Sequence, residues 1–341
     1  MIDANPWLPG AGLIIGLGFG VIVQRQRFCM VAAIGNLVLI RDWRHIQAFL
    51  AALAVAIAGT QWLEAGALVP VAESSYRTGP FEWLAATTGG LAFGFGAVFA
   101  GGCAARTLVR AAEGGLGAWV ALIAFAVAAA ATQYGILADI RVRLSDWSAV
   151  SFSGGDSSIA ALLNVSPWLA GVTAAVICVA VIAITWRSSH DLRLISGGAT
   201  IGGLVVTAWW LTGYLAQDVF APTQPSALTI SGPLARVTHY LVTGGDLDLG
   251  FGIAFVAGTA LGATISALVS GTFRWQRPPT RVIPNYLAGG VLMGFGAMVA
   301  GGCNIGQGLS GVSTLAAGSL VAAGAMFAGA VLAVRWLEQR T

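Results

Sequence analysis

A fifteen-residue pattern occurs twice in this chain, 200 positions apart: GGLAFGFGAVFAGGC at 89–103 and GGVLMGFGAMVAGGC at 289–303, identical at ten positions. The fold must therefore hold two related units. Both copies are glycine-rich and uncharged, and 57 % of the 341 residues are apolar while only 9 % are charged. A soluble domain carries about 25 % charged residues, so an ordinary water-soluble enzyme is excluded. Apolar runs between charged breaks predict nine membrane spans, near 10–24, 46–69, 86–101, 116–138, 166–187, 194–216, 248–270, 283–300 and 314–337. The chain reads as an all-α polytopic membrane protein.

Span order decides how the two copies sit. The spans before the repeated pattern, 46–69 and 248–270, fall at nearly the same offset, so the chain parses as four spans, one linking span at 166–187, and four spans again. One unit plus the linker is an odd number of crossings, which turns the second copy upside down. Residues 1–145 are expected to form the first half, 146–193 a loop and linking span, and 194–341 the inverted second half of one membrane domain. Inverted repeats are an architecture of transporters, with the substrate site near the midplane where the copies meet. Close glycine packing alone gives no reason to keep Gly-Gly-Cys at the same place in both copies.

Charge placement sets the expected orientation. All 17 cationic residues are arginine. With residue 1 outside and nine alternating spans, thirteen of them fall inside, Arg25, Arg27, Arg41, Arg44, Arg187 and Arg193 among them. Only Arg77, Arg141, Arg143 and Arg236 fall outside. This positive-inside bias predicts an N-terminus out and a C-terminus in. The opening Met1-Ile2-Asp3-Ala4-Asn5-Pro6 lacks the basic start of a cleavable signal, so the first span is expected to stay. A net charge of +3 is too small to indicate nucleic-acid binding. The four cysteines show no C-x-x-C and no zinc-like spacing, which argues against a metal site or a disulfide scaffold. No metal or cofactor is expected.

Three spans are followed by apolar stretches too brief to cross, 29–40, 103–112 and 303–312, which fit re-entrant half-helices. The corners Gly101-Gly102-Cys103 and Gly301-Gly302-Cys303 stand at two of these breaks. Glycines let the backbone leave the helix and expose its N–H groups, and the half-helix that follows aims its positive end at the corner. Two corners facing each other are expected to make one small anion-binding constriction with a thiol from each. Cys29, in Arg25-Gln26-Arg27-Phe28-Cys29-Met30, opens the third short stretch and is either a further thiol of this kind or a small buried hydrophobe. Cys178, mid-span in VICVAVIAI, reads as packing. A thiol kept protonated by apolar surroundings is a soft, polarizable donor, which favours a sulfur-bearing anion. After the cysteines the copies diverge, to Ala104-Ala105-Arg106-Thr107 and Asn304-Ile305-Gly306-Gln307. Arg106 either draws an anion towards the inner exit or marks the membrane boundary, the second reading being preferred. Asn304 and Gln307 either line a pathway or cross-link helices.

The paired GFGAVFAGGC and GFGAMVAGGC, the RQRFC segment and the nine spans together resemble the YeeE/YedE family of sulfur-compound transporters, over essentially the whole chain. The resemblance implies thiosulfate import across a bacterial inner membrane by an hourglass-shaped protein with inverted pseudo-symmetry. It further implies that Cys29, Cys103 and Cys303 pass the ion along by S–H···S contacts to its terminal sulfur, and that a small soluble carrier of the TusA type is the partner. Wider members are linked to selenium and other sulfur species, so sulfite, sulfide and selenium analogues stay open. Rival readings are a membrane thiol oxidoreductase, which needs an attacking and a resolving thiol, a passive channel for a neutral solute, and an assembly subunit. Moving a dianion inward against the potential costs about 4.6 kcal/mol per 100 mV. Glu64 and Glu113 suggest no proton relay, so consumption of the ion in the cytoplasm is the expected driving force. The outer loops 139–165 and 217–247 show no interpretable pattern.

Overall fold

A computed structural model describes residues 6–151, 155–186, 190–217, 224–244 and 249–340. It contains fourteen α-helices: α1 (Leu8–Gln26), α2 (Met30–Ile40), α3 (Arg44–Ala65), α4 (Trp83–Phe99), α5 (Ala104–Ala112), α6 (Leu116–Tyr134), α7 (Ala138–Ser148), α8 (Ile159–Leu162), α9 (Pro167–Thr185), α10 (Leu192–Trp210), α11 (Ser231–Thr243), α12 (Phe251–Val269), α13 (Ile283–Val299) and α14 (Ala317–Glu338). Among the described residues nine candidate spans are long and apolar enough to cross a membrane. The all-α, multi-pass reading holds. Arg187 lies outside the described residues, as do Met1–Asn5 of the N-terminal segment.

Local chemistry explains several boundaries. Ser166 accepts from Leu169 N–H and Pro167 occupies the first turn of α9, a paired start signal for a helix. Asp191 accepts from Arg193 N–H at the start of α10. Gly135 ends α6 earlier than the expected 138, and the chain turns into the separate helix α7.

Glycine sets the packing of the spans. Helix α1 runs beside α12: a Cβ on Gly12, Gly16 or Gly20 would meet the carbonyl oxygens of Phe251, Phe255 and Thr259 at 2.4, 2.2 and 2.2 Å. Numbers rise together, so the pair is parallel. On α10, Gly198 and Gly202 meet the carbonyls of Ala48 and Ala52 on α3 in the same sense. The pairs α4–α14 and α6–α13 are likewise parallel, through Gly90 and Gly94 against Ala322 and Met326, and Gly290 and Gly294 against Ala121 and Phe125. Helices α4 and α13 instead run antiparallel, with Gly89 against Ala300 N at 2.5 Å and Gly289 against Ala100 N at 2.4 Å. Exchanging the two halves of the chain carries each of these contacts into another. That reciprocity, and the directions of the pairs, are what an inverted duplication demands.

Two expectations need correction. The stretch 217–247 is not patternless: it holds α11, whose first residue stands 201 positions after that of α2, so that Ile230 falls where Cys29 stands in the first half. Among the described residues, α11 thus pairs with α2 as Gly306–Gly311 pairs with α5. Second, 303–312 does not form an α-helix like α5. Gly306–Gly311 forms a π-turn, with Ser310 N–H donating to Ile305 O at 2.9 Å. Glycines at 306, 308 and 311 weaken the α-helical preference that α5, with none, retains. Single π-turns recur at functional sites.

The described residues of 66–82 and 139–165 also make defined contacts. Arg77, 2 % exposed, ion-pairs with Glu64 at 2.5 Å and with Asp156, and donates to Ser158 Oγ. Phe81–Glu82 pairs antiparallel with Ala149–Val150. This clasp holds the 66–82 loop down over the end of the bundle.

Candidate functional site

The doubled Gly-Gly-Cys closes each helix in the same way. Gly101 has φ +73° and Gly301 φ +74°, a left-handed conformation that glycine adopts without strain. Gly102 N–H donates to Ala97 O at 2.9 Å and Gly101 N–H to Val98 O at 3.1 Å; Gly302 and Gly301 donate to Ala297 O and Met298 O at 2.7 and 3.3 Å. This is the Schellman ending of a helix. The amides of all four glycines are therefore turned back into their own helices. The glycines shape the bend, correcting the expectation that they expose N–H groups to a ligand.

What the bends present are the cysteines. Cys103 stands at the start of α5 and Cys29 at the start of α2, both with extended backbone. Their sulfurs lie 3.7 Å apart, 6 % and 1 % exposed in residue terms for Cys29 and Cys103. A disulfide needs about 2.05 Å, so these are two free thiols, one donating its S–H to the other. The N-terminal ends of two short helices, α2 and α5, meet at this pair. Such an end favours negative charge.

Cys303 is fully buried at its own bend. The two bends do not face each other in one constriction. The α4–α13 crossing places Ala100 beside Gly289 and Ala300 beside Gly89. Eleven residues of α4 separate Gly89 from Ala100, about 16 Å at 1.5 Å per residue. Antiparallel packing puts the bends at opposite ends of the crossing. Cys178 lies on the peripheral helix α9, remote in sequence and packing from the other three.

The polar candidates separate cleanly. Gln307 Nε2 donates to Ala300 O at 2.9 Å and its Oε1 accepts from Ser319, so it cross-links the second bend. Arg106 ion-pairs with Glu113 at 3.2 Å and is held at the end of α5. Thr107, in the place of Gln307, donates to Gly102 O, and Arg110 to Gly101 O. Asn304 differs from all of these. It is 1 % exposed, and neither its Nδ2 nor its Oδ1 has a hydrogen-bond partner among the described residues. Phe49 Cζ and Asn304 Cβ each lie 3.8 Å from where a Cβ on Gly308 would stand, and Phe28, next to Cys29, stacks on Phe49 with centroids 5.7 Å apart. An apolar shelf thus links the Asn304 region to the thiol pair.

Cavities open at both ends. At the end of the bundle carrying Gly301, one cavity of about 230 Å³ includes Glu82, and another of about 350 Å³ includes Arg141 and Arg236. Tyr76 and Gly301 belong to both. Burial raises the Tyr76 phenol above its ordinary range, with the Cys303 sulfur adding to the effect, so it stays a donor at neutral pH. At the opposite end, beside Arg25-Gln26-Arg27, a cavity of about 680 Å³ is lined by Arg25, Arg27, Arg44, Arg193 and His45, with Asp42 and Asp191. Tyr76, Arg141, Arg236 and Ile230 were not singled out in the sequence. The one available signal was that Arg141 and Arg236 belong to the sparse side of the arginine asymmetry.

Comparison with known proteins points to transport of sulfur compounds. A family described as sulphur transport matches residues 25–332. The thiosulfate transporter TsuA of Escherichia coli K12 is 30 % identical over 318 residues, covering 88 % of this chain and 86 % of that protein. TsuA of Spirochaeta thermophila is 30 % identical over 320 residues, covering 90 % and 92 %. The probable transporter YedE of Salmonella typhimurium is 32 % identical over a shorter 111 residues, 32 % of this chain and 26 % of its own.

Proposed function

Because the chain belongs to the sulphur transport family, and is a multi-pass transporter of sulfur-containing anions rather than an enzyme, we propose that it imports thiosulfate by passing the ion's terminal sulfur from Cys303 to the Cys29–Cys103 pair. The membrane is the bacterial inner membrane, with the N-terminus outside and the C-terminus inside. Residues 1–145 and 194–341 act as two inverted halves joined by 146–193, and the ion descends between them.

The observation that carries this reading is the 3.7 Å sulfur–sulfur contact at the meeting of two helix starts. Each thiol is a weak donor, and the polarizable end of thiosulfate accepts from it. Weak stations in series allow an ion to bind and still leave, the condition for conduction. The bends sit about 16 Å apart along α4, too far for one small ion to touch both, so the stations act in turn. Asn304, with an unused amide beside the first station, donates its Nδ2–H to the oxygens of the passing ion. An orphaned buried amide costs about 1–3 kcal/mol; a ligand that satisfies it offsets that cost. Gln307 holds the second bend in shape and Thr107 and Arg110 the first, while Arg106 is paired with Glu113.

The reading also names a driving force. Glu64 is paired with Arg77 and Glu113 with Arg106, so neither carboxylate serves as a proton relay. Consumption of the ion by a cytoplasmic sulfur carrier of the TusA type draws it inward. The test is uptake of radiolabelled thiosulfate into proteoliposomes. Cys29→Ala, Cys103→Ala and Cys303→Ala each reduce the rate at least tenfold, Cys178→Ala leaves it within twofold, and dissipating a proton gradient has no effect. Wild-type rates from all three folded variants refute the thiol path; strict gradient dependence refutes the driving force.

A further inference from the structure

The 350 Å³ cavity beside Gly301 is built unlike its neighbour. Arg141 on α7 and Arg236 on α11 both line it, and among the described residues no carboxylate does. Neither arginine forms an ion pair among the described residues, and Arg141 Nε is buried without a partner. Ser231, 1 % exposed at the start of α11, lines the same cavity with its hydroxyl also unpartnered. Two cations and two unused polar donors therefore surround one space. The adjoining cavity across Tyr76 instead contains Glu82, which repels an anion.

We infer that this cavity is a capture site for tetrahedral oxyanions of charge −2, recognised by their trigonal SO₃ face and not by their fourth substituent. The inference rests on the thiosulfate reading above and extends it to how the ion is received. Guanidinium forks match a trigonal set of oxygens and form charge-assisted hydrogen bonds to it. Arg141, Arg236 and the Ser231 hydroxyl are hard donors, which match oxygen better than sulfur. Seated this way, thiosulfate keeps its terminal sulfur free to meet Cys303 beyond Gly301. Sulfate has the same face and charge but an oxygen in place of that sulfur. It binds the cavity and goes no further, because selection for sulfur occurs at the thiol. Sulfate is therefore a competitive inhibitor that is not carried.

The experiment measures thiosulfate uptake into proteoliposomes against increasing external sulfate, with chloride at matched ionic strength as control. In the wild type, sulfate raises the apparent KM several-fold, leaves the maximal rate unchanged, and does not itself accumulate. Arg236→Gln, at an exposed position where substitutions change stability little, raises the KM about tenfold, as loss of a charged hydrogen bond predicts, and abolishes the sulfate effect. Arg141→Gln does the same. Absence of sulfate inhibition in the wild type, or inhibition that persists in both variants, overturns the inference. A second measurement separates it from the transport reading: sulfate raises the melting temperature of the detergent-solubilised wild type but not of Arg236→Gln. If the wild type carries no thiosulfate while this stabilisation is present, the transport reading fails and the capture site stands. If transport is normal and no stabilisation occurs, the capture site fails alone.

Discussion

Replacing Asn304 by leucine separates a structural amide from one kept for a ligand. The side chain is 1 % exposed and both its polar atoms lack partners. Leucine has the same branched heavy-atom skeleton and nothing to satisfy, so, where its bulkier methyl groups fit, the resting protein gains the roughly 1–3 kcal/mol that an orphaned buried polar group costs. The melting temperature of Asn304→Leu in detergent, followed by tryptophan fluorescence without substrate, therefore rises by a few degrees. Uptake moves the other way. Loss of one hydrogen bond to a charged ligand, about 1.5–3 kcal/mol, lowers thiosulfate uptake efficiency by about 10- to 150-fold. Asn304→Asp keeps the shape but faces the anion with like charge, and loses more activity than the leucine variant. Added thiosulfate stabilises the wild type more than Asn304→Leu, which keeps only the cavity lined by Arg141 and Arg236. A leucine variant that melts lower than wild type and transports with an unchanged KM would show that the amide is structural, and the path through Asn304 would be wrong.

Other outcomes follow from the same geometry. Cys29→Ala and Cys103→Ala share one sulfur contact, so the double variant is hardly worse than either single one in thiosulfate uptake; additive losses would mean independent roles. Thiol labelling counts four free cysteines before and after turnover, whereas a drop of two would signal disulfide exchange. Gly89→Ala and Gly289→Ala, whose Cβ atoms would meet Ala300 N and Ala100 N at 2.5 and 2.4 Å, each destabilise by about 1–3 kcal/mol or more, while Gly203→Ala, with open space around it on α10, is neutral or stabilising by up to about 1 kcal/mol in thermal melts. Burial pushes the Asp156 carboxyl up, but the Arg77 guanidinium and Ser158 outweigh it and hold the group below the usual carboxylate range. Its stabilisation is therefore complete above about pH 4 and disappears as pH falls through the lowered value; an Arg77→Ala variant melts lower at neutral pH and loses this acid step.

Much of the architecture was legible because membrane spans announce themselves locally. Continuous apolar runs, arginine at one set of ends and a repeated GGC motif are all properties of neighbouring residues, and the nine spans match them closely. The short helix α11 escaped notice because its sequence, SGPLARVTHYLVT, mixes arginine, histidine and proline with apolar residues; only its position opposite α2 marks it as the fourth of a set. The π-turn after Cys303 was read as a helix because apolar content does not distinguish the two, and the three glycines that decide it were not weighed. The cysteines were visible as a type. Which of them touch was not.

The amino-acid order alone determined the solvent, the number of crossings and their alternation, because burying about twenty apolar residues in lipid is a local requirement that each segment meets for itself. It also determined that the second copy must be inverted, since that is a matter of counting crossings. Tertiary structure decided everything that depends on distance between remote residues. The Cys29–Cys103 contact joins positions 74 apart, and it exists only because glycine-to-carbonyl contacts set how closely the spans approach. The same packing carried the two bends to opposite ends of one crossing, stripped Asn304 of partners, and gathered two sparse arginines into one cavity. Helix contacts through bare backbone are satisfied at one separation and one register, and neither is written in any single segment.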